Sequence, residues 1–184
     1  MLGEPLIPEF ANTLYIDSTI RFDVLERPDW TASWFKQAPC ATDLAAPRRF
    51  TAAETERLRH LRDAIRHALS GNDEPKRDGS ISLINRAAKL GHPHRLLQWR
   101  PGHPLAVVVD SLASPFETLL ATIAARFIDA VASHDVNRIR ICDRPDCNMY
   151  YYQQHHRRRY CNERCANADR QARYNRRVAA TRRN

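Results

Sequence analysis

CDRPDCNMYYYQQHHRRRYCNERC, residues 142–165, sets four cysteines as a C-x4-C pair, thirteen intervening residues and a C-x3-C pair. Two close pairs at this separation suit tetrahedral zinc, each pair giving two thiolates at about 2.3 Å while the stretch between them folds back. Cys142, Cys147, Cys161 and Cys165 are therefore the expected ligands of a Zn2+ ion. Four bound thiolates leave no open coordination position, so the metal is expected to be structural rather than catalytic. Its binding free energy, on the order of 10 kcal/mol, would hold up a segment too short to make its own core. The residues between the pairs fit that picture. Asp143 to Asp146, with Pro145 inside, can form a tight knuckle, Met149 to Tyr152 a strand, and His155 to Arg159 a return. Good helix formers without proline predict a helix from Asn162 to about Ala180, with Cys161 and Cys165 at its first turn, where the helix dipole favours thiolates. The arrangement expected is a treble-clef-like finger.

The charge of the chain lies around and beyond this finger. The formal net charge is +8, yet residues 1–137 carry 16 basic and 17 acidic side chains, while residues 138–184 carry 13 Arg, no Lys and 4 acidic residues. A guanidinium can hold phosphate or a guanine edge with two parallel hydrogen bonds, which an ammonium cannot. Some of the bias toward arginine is general to the chain, which has 26 Arg and 3 Lys. Zinc with four thiolates carries a formal charge of −2, which Arg144, Arg158, Arg159 and Arg164 can offset. Arg170, Arg173, Arg176, Arg177, Arg182 and Arg183 lie progressively farther away, and Arg170, Arg173 and Arg177 share a helix face. Like charges at this density find relief on phosphate, so DNA is the expected partner. The candidate nucleic-acid contacts are Arg158, Arg159, Asn167, Arg170, Arg173, Tyr174, Arg176 and Arg177, with Asn167 and Tyr174 offering base-edge hydrogen bonds and stacking.

Upstream, the pattern is mainly helical. Trp30 and Trp34 mark a short helix over 29–37. Thr51 with Glu54 forms a capping-box signature ahead of Leu58, Leu61, Ile65 and Leu69, a run that Gly71 ends. Residues 72–79 read as a loop, and Ser80 as the cap of a helix that Gly91 ends. Leu96 to Trp99 and Leu105 to Val109, across Pro101 and Gly102, predict one hairpin. Ser114, Pro115 and Glu117 suit the start of a core helix that carries Leu119, Leu120, Ile123, Phe127, Ile128 and Val131. The expected fold is thus mainly α: a helical N-terminal domain with one β-hairpin, residues 1–136, and a small treble-clef-like finger, residues 137–184.

The first twenty residues have no positive charge ahead of an apolar stretch, and no run of about 18 apolar residues occurs anywhere. A cytoplasmic location without membrane contact is expected, where clustered cysteines serve metals more often than disulfides. Cys40 stands apart and reads as a small packing residue. His155 and His156 read as exposed turn residues, and the helix after them lacks the metal-binding histidine of HNH-type treble-clef nucleases. No glycine-rich phosphate loop or nucleophile motif occurs, so no enzymatic activity is expected. The alternative to a DNA reader is a finger that docks an acidic protein.

These residues resemble a bacterial family with an N-terminal ABATE domain and a C-terminal CGNR zinc finger. The finger's share of the resemblance is CDRPDC, then RRYC with Cys165 and an arginine-rich helix; the N-terminal share is FANTL at 10–14, WF at 34–35, LRHLRDAIRHAL at 58–69 and the later LIN. The family's CGNR reads CANA here, with Asn167 retained and Ala166 and Ala168 at the glycine and arginine positions. The resemblance implies a stress-induced transcription regulator whose N-terminal domain senses a small-molecule effector or dimerises. Asn12, Arg62 and Arg66 fall in the matching stretches and are the candidate effector-binding residues. One finger makes few base contacts, so either a homodimer or a second DNA-binding surface is expected.

Overall fold

The structure is a computed structural model that describes residues 2–16, 20–70, 74–91, 94–104, 106–110 and 113–181. Gly71, Asn72, Leu105, Arg182 and Arg183 lie outside the described residues.

Helix α1, Leu6–Ala11, begins after Pro5 and carries Pro8 in its first turn, where a missing N–H costs nothing. It buries Ile7, Phe10 and Ala11. Strands β1, Leu14–Ile16, and β2, Arg21–Asp23, pair antiparallel with Leu14 opposite Asp23. The sequence predicts a single hairpin in the helical domain; this is a second, with strands too short to show an alternating pattern.

Helix α2, Pro28–Gln37, buries Thr31, Trp34 and Phe35. Helix α3, Ala52–Ser70, starts at the expected capping box, with Thr51 Oγ1 accepting from Glu54 N at 3.2 Å and Glu54 accepting from Thr51 N at 2.7 Å. Its Leu58, Leu61 and Ile65 are fully enclosed. Helix α4, Glu74–Lys89, corrects the sequence reading. The stretch read as a loop up to Gly79 is helical from Glu74, and Ser80 lies inside the helix rather than at its cap. Ser80, Ile84 and Ala87 are buried, and this packing outweighs the helix cost of one glycine, about 1 kcal/mol.

Strands β3, His94–Gln98, and β4, Ala106–Asp110, form the expected hairpin with His94 opposite Asp110. Helix α5, Pro115–Ala132, opens with a complete capping box between Ser114 and Glu117 and buries Phe116, Leu119, Leu120, Ile123, Ala124 and Phe127. Helices α1 to α5 enclose one apolar core, lined with aromatic contacts such as Phe35 against Phe50 at 5.4 Å. Cys40 is half-buried at its margin, and burial pushes its thiol up to about 11, which suits packing better than reactivity.

Gly91 sits where the chain leaves α4 against α5. A Cβ there would lie 2.7 Å from Ala121 Cβ and 3.2 Å from Thr118 Cα. Gly91→Ala is expected to destabilise the protein by about 1–3 kcal/mol, read as a lower urea midpoint at unchanged m-value.

A 3-10 turn at Asp135–Arg138 leads to strands β5, Ile139–Ile141, and β6, Tyr150–Tyr152, and finally to helix α6, Glu163–Thr181. Among the described residues no helix is long and apolar enough to cross a membrane.

Candidate metal centre and nucleic-acid interface

Antiparallel pairing of β5 with β6, Ile141 opposite Tyr150, puts the ends of the knuckle side by side. Cys142 N donates to Met149 O at 2.9 Å, and Cys147 N closes the knuckle on Arg144 O at 3.0 Å. The return stretch is held by Asp143 N donating to Arg159 O, 3.0 Å, and by the Tyr151 hydroxyl donating to Arg158 O, 2.8 Å. Asn162 then caps α6, its Oδ1 accepting from Cys165 N at 3.0 Å.

These constraints gather Cys142, Cys147, Cys161 and Cys165, all buried, so that their four Sγ atoms lie within 4.8 Å of one another. The Cys147 to Cys161 and Cys161 to Cys165 separations are 3.8 and 3.6 Å. A tetrahedron of sulfurs about 2.3 Å from zinc has edges of about 3.8 Å, so the cluster has the size the ion requires. Its electrostatics agree. Hydrogen bonding from Cys147 and then Cys161 favours the Cys142 thiolate and holds it down, while that same anion pushes Cys147 and Cys161 up. Protons alone let one sulfur ionise at the expense of its neighbours; a dication lets all four do so. Arg144 adds charge from outside, its guanidinium stabilised by the Cys165 sulfur. His155 and His156 are exposed and stand apart from the cluster.

The model of the family ABATE, described as "Putative stress-induced transcription regulator", matches residues 4–134. The chain belongs to the ABATE family. A CGNR zinc finger model matches residues 138–178. A comparison with curated proteins gives no match. In this ABATE chain the CGNR finger has its four cysteines positioned to bind a zinc ion. Its altered tetrad, CANA, leaves the ligand Cys165 and the exposed Asn167 in place.

The candidate nucleic-acid residues fall into three groups. Arg158 is spent inside the fold: Nη2 donates to Glu4 at 2.6 Å and to Cys161 O at 2.8 Å, Nη1 to Tyr152 O at 3.2 Å, and Nε to Tyr160 O at 3.2 Å. Four of the five donors a guanidinium has are thus used, and Arg158 leaves the nucleic-acid set. Arg159, exposed, pairs with Asp143 at 2.7 Å, and Arg173 with Asp169 at 3.0 Å, so both cations are partly engaged. Arg170 donates to Asn167, and Tyr174, Arg176 and Arg177 are exposed, with no ion pair to the two arginines among the described residues. Beyond Cys165, no described side chain of α6 is buried.

Asn12, Arg62 and Arg66, the candidate effector residues, are turned inward. Arg62 is 1% exposed and forks onto both carboxylate oxygens of Asp23, itself buried, with Nη2 to Oδ2 at 3.0 Å. A solvated row of Arg62 and Arg66, the ordinary reading of their i, i+4 spacing, is therefore excluded. Arg66 donates to Ala11 O at 2.7 Å and Asn148 O at 3.3 Å, with its guanidinium 5.0 Å from the centre of the Tyr150 ring. Asn12 exchanges two hydrogen bonds with the Tyr150 main chain, at 2.8 and 2.7 Å.

Two residues that sequence reasoning missed complete the joint between the helical domain and the finger, and a third, Asp23, acts inside the helical domain. Glu4 accepts from Tyr152 N at 2.9 Å and pairs with Arg158. Asn148 returns the bonding by accepting from Ile16 N at 2.8 Å and donating to Leu14 O at 3.3 Å. Asp23 secures Arg62. The one available signal was the pair Glu4 and Glu9, two carboxylates in an apolar segment without a cation.

Proposed function

We propose that this protein is a DNA-binding transcription regulator in which α6 is the reading element and the zinc site fixes its base. The observation that carries the reading is that no described side chain of α6 after Cys165 is buried, only Ala166, Asp169 and Val178 being half-buried, together with its exposed arginines. A helix that buries no face contributes nothing to the core, and its cations are presented to solvent where phosphates can reach them. The reading set is Asn167, Arg170, Arg173, Tyr174, Arg176 and Arg177, with Arg159 at the finger's edge. A cytoplasmic location and a non-enzymatic role belong to the same reading.

Salt titration of the affinity for duplex DNA tests it. Replacing Arg170, Arg173 and Arg177 by alanine is expected to lower the slope of log K against log salt by about 2.7, from about 0.9 per phosphate contact. Negligible affinity at low salt, or an unchanged slope in the triple variant, overturns the proposal. Preference for an acidic protein over DNA of equal charge would transfer the surface to the protein-docking alternative.

The effector reading moves away from Asn12, Arg62 and Arg66, whose polar groups already have partners. Two clefts offer room instead: one of about 910 Å³ beside α2, lined by Phe35, Lys36, Leu44 and Arg48, and one of about 510 Å³ where α1 and the end of α5 meet Tyr152. Both fall in the size range of small-molecule sites. A homodimer would double the base contacts of a single finger.

A further inference from the structure

Ile139 and Ile141 face Tyr152 and Tyr150 at the non-hydrogen-bonded positions of the β5–β6 ladder, while Gln153 N to Arg138 O, 2.7 Å, and Cys142 N to Met149 O, 2.9 Å, are bonds of the ladder itself. The main-chain groups of Tyr150 and Tyr152 therefore point to the outer edge of β6. An open edge normally requires another strand, a cover or water. Here its place is taken by side chains from the helical domain: Asn12 supplies both a donor and an acceptor to Tyr150, Glu4 an acceptor to Tyr152 N, and Arg66 a donor to Asn148 O. Asn12 and Glu4 are at most 9% exposed.

We infer that the helical domain is the missing edge strand of the zinc finger, with Asn12 as its main positioning residue, so that zinc binding and the order of the helical domain are one linked equilibrium. This coupling needs no nucleic acid. If the finger loses its metal and opens, Glu4 and Asn12 lose their main-chain partners, and the helical domain bears the penalty of those lost hydrogen bonds. The reciprocal bonds from Asn148 to β1 extend the same penalty to the β1–β2 hairpin. What stabilises the bound state must, by linkage, also tighten the metal.

The test uses the full chain in two measurements. Hydrogen exchange of the wild type, with zinc and after chelation, is expected to show faster exchange in α1 and β1 once zinc is removed. Chelator competition is expected to show zinc bound on the order of ten-fold more weakly by Asn12→Ala, from two lost hydrogen bonds, whereas Thr31→Val, altering a buried group remote from the joint, keeps wild-type affinity. Exchange in α1 and β1 that is indifferent to zinc overturns the inference, as does an Asn12→Ala affinity equal to that of the wild type. Should Asn12→Ala fail to fold, the wild-type exchange decides alone.

Discussion

Cys161→Ala is expected to abolish stoichiometric zinc binding and to unfold the finger between β5 and the start of α6. Cys161 has neighbouring sulfurs at 3.8 and 3.6 Å on two sides, the spacing a zinc tetrahedron requires. Its loss leaves three sulfurs and an incomplete coordination shell, too few ligands to hold the zinc and keep all three ionised side by side. The small finger cluster contains the four cysteines and Tyr151 as its buried members, so it has almost no apolar content to fall back on. A metal contribution on the order of 10 kcal/mol exceeds anything such a cluster can replace. Metal analysis should fall from one zinc per chain to well under one, and amide exchange across residues 139–165 should become fast. Cys40→Ala, by contrast, should keep the metal. A Cys161→Ala protein that retains one zinc with unaltered resistance to chelator would remove the ion from the account of this fold.

Asp23→Ala should destabilise the protein by about 3–5 kcal/mol, the cost of leaving a buried charge without its partner. Arg62 and Asp23 have side chains that are each 1% exposed, and Asp23 Oδ1 also caps the turn after it by accepting from Leu25 N at 3.0 Å. Asp63, 45% exposed, remains beside Arg62 but sees water, so it cannot substitute for an enclosed carboxylate. Against a total stability of about 5–15 kcal/mol this is a large share. Urea unfolding should show it, and Asp23→Ala combined with Arg62→Met should recover some of the loss, because a pair of apolar residues carries no desolvation penalty. A single variant within about 1 kcal/mol of the wild type would show that the ion pair is not what holds α3 to β2.

The regions of the fold set by local rules were readable from the chain alone. Thr51 with Glu54, and Ser114 with Pro115 and Glu117, define helix starts because each supplies its own hydrogen bonds, and both starts are found where expected. The cysteine spacing was equally direct, since two close pairs have few ways to meet. Residues whose role depends on distant partners were not readable. Arg62 and Arg66 are indistinguishable by spacing from a charged surface row, and it is Asp23, 39 residues away, that buries Arg62, and Ala11 and Asn148, 55 and 82 away, that draw Arg66 inward. Arg158 sits in a run of three arginines that reads as one basic patch, yet Glu4, 154 residues away, holds it half-buried against the helical domain. Ser80 misleads for the opposite reason: its local preference is to cap, while packing of Ile84 and Ala87 carries the helix through it.

The solvent-bathed rod formed by α6 also has a mechanical meaning. Its 19 residues span about 28 Å at 1.5 Å per residue. Anchored at its zinc-bound foot and, one turn on, by the Tyr160 hydroxyl donating to Asp169, it works as a lever: a tilt of about 10° there sweeps the far end through about 5 Å, close to one helical pitch. Sub-ångström adjustments among Glu4, Asn12 and Tyr150 would thereby be magnified at Arg176 and Arg177, and the reach of those guanidinium groups becomes a gauge of what happens at the other end of the chain.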